Sequence, residues 1–162
     1  MILLLVRHAH AGDRDPAQWP DDRLRPLTEK GRKTQAKVAR ALREQGLVPE
    51  AIVTSPWVRA AQTAEILQRE LGVTPPAKTA DALAADPDPA RLDADIGTRG
   101  AKSIVAVVGH SPWMEQWAGL LLTGRADGFR IDFPKSGVLA IETDRVAAGT
   151  GTLRFFLRPK MV

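Results

Sequence analysis

Two histidines and two arginines stand at similar places in the chain, each directly after or just beyond an apolar stretch. Arg7-His8 follows Ile2–Val6, Ser55-Pro56 with Arg59 follows Ala51–Thr54, and Gly109-His110-Ser111-Pro112 follows Ser103–Val108. Such a set suits a phosphoryl group. The planar guanidinium grips phosphate oxygens two at a time and keeps its charge at working pH. One imidazole can donate to a phosphoryl oxygen while the other attacks phosphorus as a nucleophile. Ser111-Pro112 predicts a helix start beside His110, with Pro112 as its first residue and free amides facing the anion.

The flanking pattern predicts how these residues meet. Ile2–Val6 is wholly apolar, as expected of a central strand covered on both faces. Thr28 reads as the N-cap of a helix with Ala36, Ala39 and Leu42 on its apolar stripe and Gly46 as its stop. Ala51–Thr54 reads as a strand, Val58–Leu71 as a helix stopped by Gly72, and 74–89 as mostly loop. A short helix is expected over Ala90–Arg99, a strand over Ser103–Val108 and a helix over Pro112–Leu122. Phe129–Phe133, Val138–Thr143 and Leu153–Leu157 read as strands between glycine-rich turns. This order predicts an α/β fold, a three-layer α/β/α arrangement whose central sheet is mostly parallel, with antiparallel or edge strands near the C-terminus. Ligands bind beyond the carboxyl ends of such strands, and all three motifs fall on that edge.

Composition narrows the classes. With 162 residues the chain is read as a single domain, 1–162. The absence of cysteine removes thiol nucleophiles, disulfides and thiolate metal sites. A net charge of +4 with 5% aromatics and no tyrosine gives neither the dense basic run nor the stacking residues of a nucleic-acid binder. No apolar run reaches membrane-spanning length, and the short opening run lacks a basic leader and a cleavage site. The expectation is a cytoplasmic monomer with no nucleic-acid or membrane partner. His8 and His10, two apart, make a weak metal pattern, and Ser55 lacks the glycine frame of a hydrolase elbow.

Leu5-Val6-Arg7-His8-Ala9 resembles the Arg-His-Gly signature of the histidine phosphatase superfamily. The resemblance continues through Arg25-Pro26-Leu27-Thr28-Glu29-Lys30-Gly31, Ser55-Pro56-Trp57-Val58-Arg59-Ala60-Ala61-Gln62-Thr63-Ala64 and Val107-Val108-Gly109-His110-Ser111-Pro112, in the family's order. Length, and Ala9 in place of glycine, look most like the SixA-type phosphohistidine phosphatases. The fold implied is phosphoglycerate mutase-like. The resemblance implies that His8 is the nucleophile and forms a phosphohistidine that water hydrolyses. It implies that Arg7, Arg59 and His110 hold the phosphoryl oxygens, and that no metal or other cofactor is needed. Ser111 and His10 are further candidates for substrate contact. Positive neighbours are expected to keep His8 neutral by lowering its pKa. Many relatives carry an acidic residue after the second helix to protonate a leaving group; here only Asp81 and Asp86 are candidates. If neither serves, a phosphohistidine on a carrier protein suits the site better than an ester. The alternatives are a small phosphorylated molecule hydrolysed with an Asp acid, and a non-catalytic phospho-ligand module. Trp113 and Trp117 are candidates for the site mouth.

Overall fold

The computed structural model describes all residues, 1–162, and builds six strands and four α-helices. In chain order they are β1 (Ile2–Arg7), α1 (Glu29–Glu44), β2 (Ala51–Thr54), α2 (Val58–Leu71), β3 (Lys78–Thr79), α3 (Pro89–Ile96), β4 (Ile104–Gly109), α4 (Trp113–Thr123), β5 (Val138–Glu142) and β6 (Thr152–Leu157). The sheet order is β3-β2-β4-β1-β5-β6. The first four strands are mutually parallel, while β5 runs antiparallel to β1 and β6 antiparallel to β5. This is the mostly parallel α/β sheet that the sequence implied.

Alternation along the strands divides the core. Leu3, Leu5, Val105, Val107, Leu139 and Ile141 face one side, where Leu92 of α3 and Trp117 of α4 pack. Leu4, Val6, Ala106, Val108, Val138 and Ala140 face the other, against Val38 and Leu42 of α1 and Ala60 and Leu67 of α2. Strand β1 is therefore apolar on both faces because both are covered. Trp117 is wholly buried in this core, not at the site mouth.

Several boundaries differ from the sequence reading. Helix α3 stops at Ile96, because Gly97 takes a left-handed φ of 71° and its amide closes onto Asp93 O. Pro112 occupies the N-cap of α4, after a cis Ser111-Pro112 bond, so the helix starts one residue later than expected. The 74–89 segment contains the two-residue β3 and a 3-10 turn at Asp81–Ala84. Phe129–Phe133 forms no strand. Its alternation is real, with Phe129, Ile131 and Phe133 packed on the core. Both edges of β1 and both edges of β5 are taken, and the segment joins neither open edge of the sheet, at β3 or at β6; it packs its apolar side chains on the core without a ladder.

The exit of β1 is pinned to the start of α1. The Thr28 amide donates to His10 O, the Thr28 hydroxyl lies 3.1 Å from that oxygen and 2.9 Å from His10 Nδ1, and Thr28 Oγ1 caps α1 by accepting from the Gly31 amide at 3.1 Å. A Cβ at Gly31 would lie 2.1 Å from His10 O, so only glycine lets the helix approach this closely.

Candidate active site

The β1 and β4 termini are register neighbours, Arg7 opposite Gly109, and Thr54 of β2 pairs with Val108. His8, Ser55 and His110 are therefore brought to one edge, and the first turn of α2 adds Arg59. His8 and His110 lie with ring centroids 5.0 Å apart, and Arg59 Nε–H donates to His8 Nε2 at 3.3 Å. The structure thus assembles His8, Arg59 and His110 as the sequence predicted, with Arg7 on the adjacent strand position.

Each group is held by its own partners. His8 Nδ1–H donates to Ala9 O at 2.7 Å, which fixes the proton on Nδ1 and leaves the lone pair on Nε2, beside Arg59. The Ala9 amide donates to Thr63 Oγ1, whose hydroxyl donates in turn to Arg59 O. Thr63 is fully buried and ties the His8 backbone to the Arg59 helix. His110 is arranged in the opposite sense. Ser55 Oγ accepts from the Trp57 amide and lies 2.8 Å from His110 Nε2. The Ser55 hydroxyl has no other acceptor in the fold, so it donates to Nε2, and the proton of His110 sits on Nδ1. That nitrogen is buried and unpartnered within the fold, available as a donor to a phosphoryl oxygen.

Burial, ahead of any charge, pushes His8 down from 6.5 to about 3, with Arg59, Arg7 and Lys135 adding to it and the Ala9 bond opposing it. Burial likewise lowers His110 to about 2, helped by His8 and Arg59. Both imidazoles are therefore neutral at neutral pH. The neighbouring cations expected to do this contribute, but desolvation leads.

Arg59 is almost completely buried, and each of its three nitrogens has a partner while two of its N–H groups stay free. Its Nη1 donates to Asp22 O at 2.7 Å, its Nη2 pairs with Asp22 Oδ2 at 3.1 Å, and its guanidinium lies 4.5 Å from the Trp57 ring. Asp22 is itself clamped by Arg25, whose Nε lies 2.8 Å from Oδ1, and Arg25 also donates to Ala11 O and Gly12 O. The long 8–27 loop thus folds back through a 3-10 turn at Asp22–Leu24 to orient the buried arginine. Arg7 Nη1 donates to Phe133 O at 2.5 Å, and its Nε is buried without a partner.

The other candidates lie outside this cluster. Ser111 Oγ donates to Glu115 Oε1 at 2.6 Å, so its hydroxyl is committed to α4. His10 Nδ1 accepts from the Gly12 amide at 3.3 Å and sits 2.9 Å from Thr28 Oγ1, beside α1. Asp81 is exposed and paired with Arg91 at 3.4 Å. Asp86 accepts from Trp113 Nε1 at 3.1 Å. Trp113 does reach the site, 6.0 Å from His110, and Trp57 is closer still at 4.4 Å. A cavity of about 460 Å³ lies beside Trp57 and includes Asp81 and Arg91 in its lining.

Sequence reasoning missed Asp22, Ser55, Trp57 and Thr63 as parts of the site. Three of these lie inside the motif spanning residues 55–64, where attention fell on Arg59. Asp22 stands among alternating charges, and nothing in the sequence separates it from Asp21.

A three-layer α/β fold with this histidine–arginine cluster at the strand ends is phosphoglycerate mutase-like. The chain belongs to the histidine phosphatase superfamily (branch 1), whose family description matches residues 3–84. An uncharacterized protein of Picosynechococcus sp. is 35% identical over 97% of this chain and 95% of its own length. Among solved structures, the protein histidine phosphatase SixA complexed with tungstate superposes with a TM-score of 0.81 at 24% identity, covering 99% of both chains. The putative phosphohistidine phosphatase SixA from Agrobacterium tumefaciens gives 0.75 at 23% identity, covering 98% of this chain and 97% of that one. Phosphoserine phosphatase from Entamoeba histolytica, as its H9A mutant, gives 0.62 at 14%, covering 98% of each. At these identities the likeness is one of fold, and it is of the SixA type. No helix is long and apolar enough to cross a membrane.

Proposed function

We propose that the protein is a metal-independent phosphatase that works through a phosphohistidine at His8 Nε2 and removes phosphoryl groups from phosphohistidine on a carrier protein. The Nε2 lone pair attacks phosphorus and forms the P–N bond to His8 as the P–N bond to the substrate imidazole breaks. A substrate ring protonated on its other nitrogen departs as neutral imidazole, with its electron pair on the released nitrogen. His8 then carries phosphate on Nε2 and a proton on Nδ1, so it too leaves as a neutral ring when water attacks phosphorus. Ala9 O supports the positive ring in between. The guanidiniums of Arg7 and Arg59 and the Nδ1–H of His110 are the donors for the phosphoryl oxygens, the role a cation fills elsewhere.

The observation that carries the choice of substrate is that each neighbouring carboxylate is already an acceptor. Asp22 is held below the ordinary carboxylate range, first by its hydrogen bond from Arg25 and then by the charges of Arg59 and Arg25. Glu115 accepts from Ser111, Asp81 is paired with Arg91, and Asp86 accepts from Trp113. An alkoxide leaving group needs a proton from such an acid, and an imidazole that already holds one does not.

Phosphate release from a phosphohistidine carrier protein, from phosphoramidate and from a panel of monoesters, with chelator present, tests this reading. Turnover of the P–N substrates by at least about a hundredfold over monoesters is expected, a ratio within the contribution of a missing general acid. Comparable ester turnover would contradict it. That result would direct attention to Glu115, whose Oε2 is buried and unpartnered. Phosphate binding without turnover of any substrate would favour a phospho-ligand module.

A further inference from the structure

A second cavity, of about 270 Å³, opens on the other side of the β1 exit, and its chemistry is not used by the site described above. It is lined from four separate segments: His10, Lys30 with Thr34 on α1, Lys135-Ser136, and Arg158 with Lys160 at the C-terminal end. Of its four cations only Arg158 is ion-paired, to Asp132 at 2.6 Å. Lys30, Lys135 and Lys160 converge without a carboxylate partner. His10 Nδ1 is an acceptor, so its neutral ring presents Nε2–H as a donor.

Ser136 supplies an independent observation. It is 1% exposed, its hydroxyl has no partner, and it holds a left-handed φ of 62° that is costly for a residue other than glycine. Its amide donates to both Arg7 O and His8 O, which joins the cavity wall directly to the nucleophile's backbone. Lys135 lies between the two regions: its charge acts on both His8 and His10. Burial, then Arg7 and Arg25, holds its ammonium below the ordinary value, with Asp13 opposing them. A buried hydroxyl donor, an imidazole N–H and three unpaired ammoniums describe a place for an anion next to the phosphoryl group.

We propose that this cavity is a second anion-binding subsite, which receives a carboxylate side chain of the partner protein while its phosphohistidine occupies His8. The identity of that partner rests on the reading under Proposed function; the subsite itself does not.

Two measurements test it. Inorganic phosphate titrated into the protein and followed by NMR should give two saturable events. One moves the His8 and His110 rings, and the other moves the His10 ring with the Ser136 amide. In the exposed double variant Lys30→Glu/Lys160→Glu the second event should weaken by about tenfold or more and the first should persist. His10 and Ser136 signals that stay still, or that follow the first event unchanged in the variant, would overturn the subsite. On a phosphohistidine carrier protein the same variant should raise KM by about tenfold with kcat unchanged and phosphoramidate turnover unchanged. An unaltered KM for the carrier would overturn the assignment to a partner's carboxylate. So would a loss confined to small doubly phosphorylated substrates. If no carrier protein is turned over, the substrate reading fails while the phosphate titration still decides the cavity.

Discussion

The ends of β1 and β4 carry the same residue type in the same kind of place, and the structure prepares the two for opposite tasks. At the end of β1, a backbone carbonyl takes the proton of His8 Nδ1 and leaves a lone pair on Nε2. At the end of β4, the Ser55 hydroxyl fills His110 Nε2 and leaves a proton on Nδ1. One ring thus offers a lone pair and the other a proton, although both are buried and both are kept neutral by that burial. Role is therefore set by the partner of the remote nitrogen, and not by pKa.

Arg59 touches the nucleophilic end, and removing it should produce the largest loss after His8 itself. Arg59→Ala is expected to lower kcat/KM by about 10² to 10³, the range for a single preorganised donor. Arg59→Lys should recover little of this, because one ammonium cannot serve His8, Asp22 and a phosphoryl oxygen at once. Recovery to near the original rate would show that only charge matters there. At the donor end, Ser55→Ala frees the His110 tautomer. A fall of about tenfold in kcat is expected, with phosphate affinity weakened alongside, as for partners that orient a functional histidine. An unchanged rate would break the assignment of Nδ1–H as donor.

Acid should affect both ends together. The unfolded chain binds protons on these histidines near pH 6.5, while the folded chain holds them off until about pH 3 for His8 and about pH 2 for His110. Between those limits the unfolded state carries more protons, so stability declines as pH falls through and below 6.5. Denaturant unfolding at a series of pH values should show this decline, and His8→Asn should flatten part of it. By NMR neither ring should titrate between about pH 8 and 5. The smallest effects are expected at the candidate acids. Asp81→Asn and Asp86→Asn should change phosphohistidine hydrolysis by less than about twofold, well short of the loss of a general acid. A larger loss in either would return it to the mechanism.

How far the sequence displays this arrangement differs along the chain. Strand β2 and helix α2 fall where apolar runs, Ser55-Pro56 and Gly72 place them, because their signals are local. Arg7, His8, Arg59 and His110 were legible because parallel strands must end on one edge. Phe129–Phe133 misled because alternation reports which side is buried, and not whether the backbone pairs with a strand. Asp22 was hidden for a different reason: its contact with Arg59 spans 37 residues and depends on how an aperiodic loop folds. The histidine tautomers were equally out of reach, since Ser55 and Ala9 act through hydrogen-bond directions that residue types do not state.

The most direct test is to trap the enzyme intermediate. The protein would be mixed with a phosphohistidine carrier, quenched rapidly in base, and analysed by mass spectrometry for the site and by phosphorus NMR for the ring nitrogen. The prediction is one phosphoryl group on His8 at Nε2, absent from His8→Ala, which should also lose turnover. Phosphorylation at His8 Nδ1 or on His110, or sustained turnover by His8→Ala, would contradict the division of roles between the two strand ends.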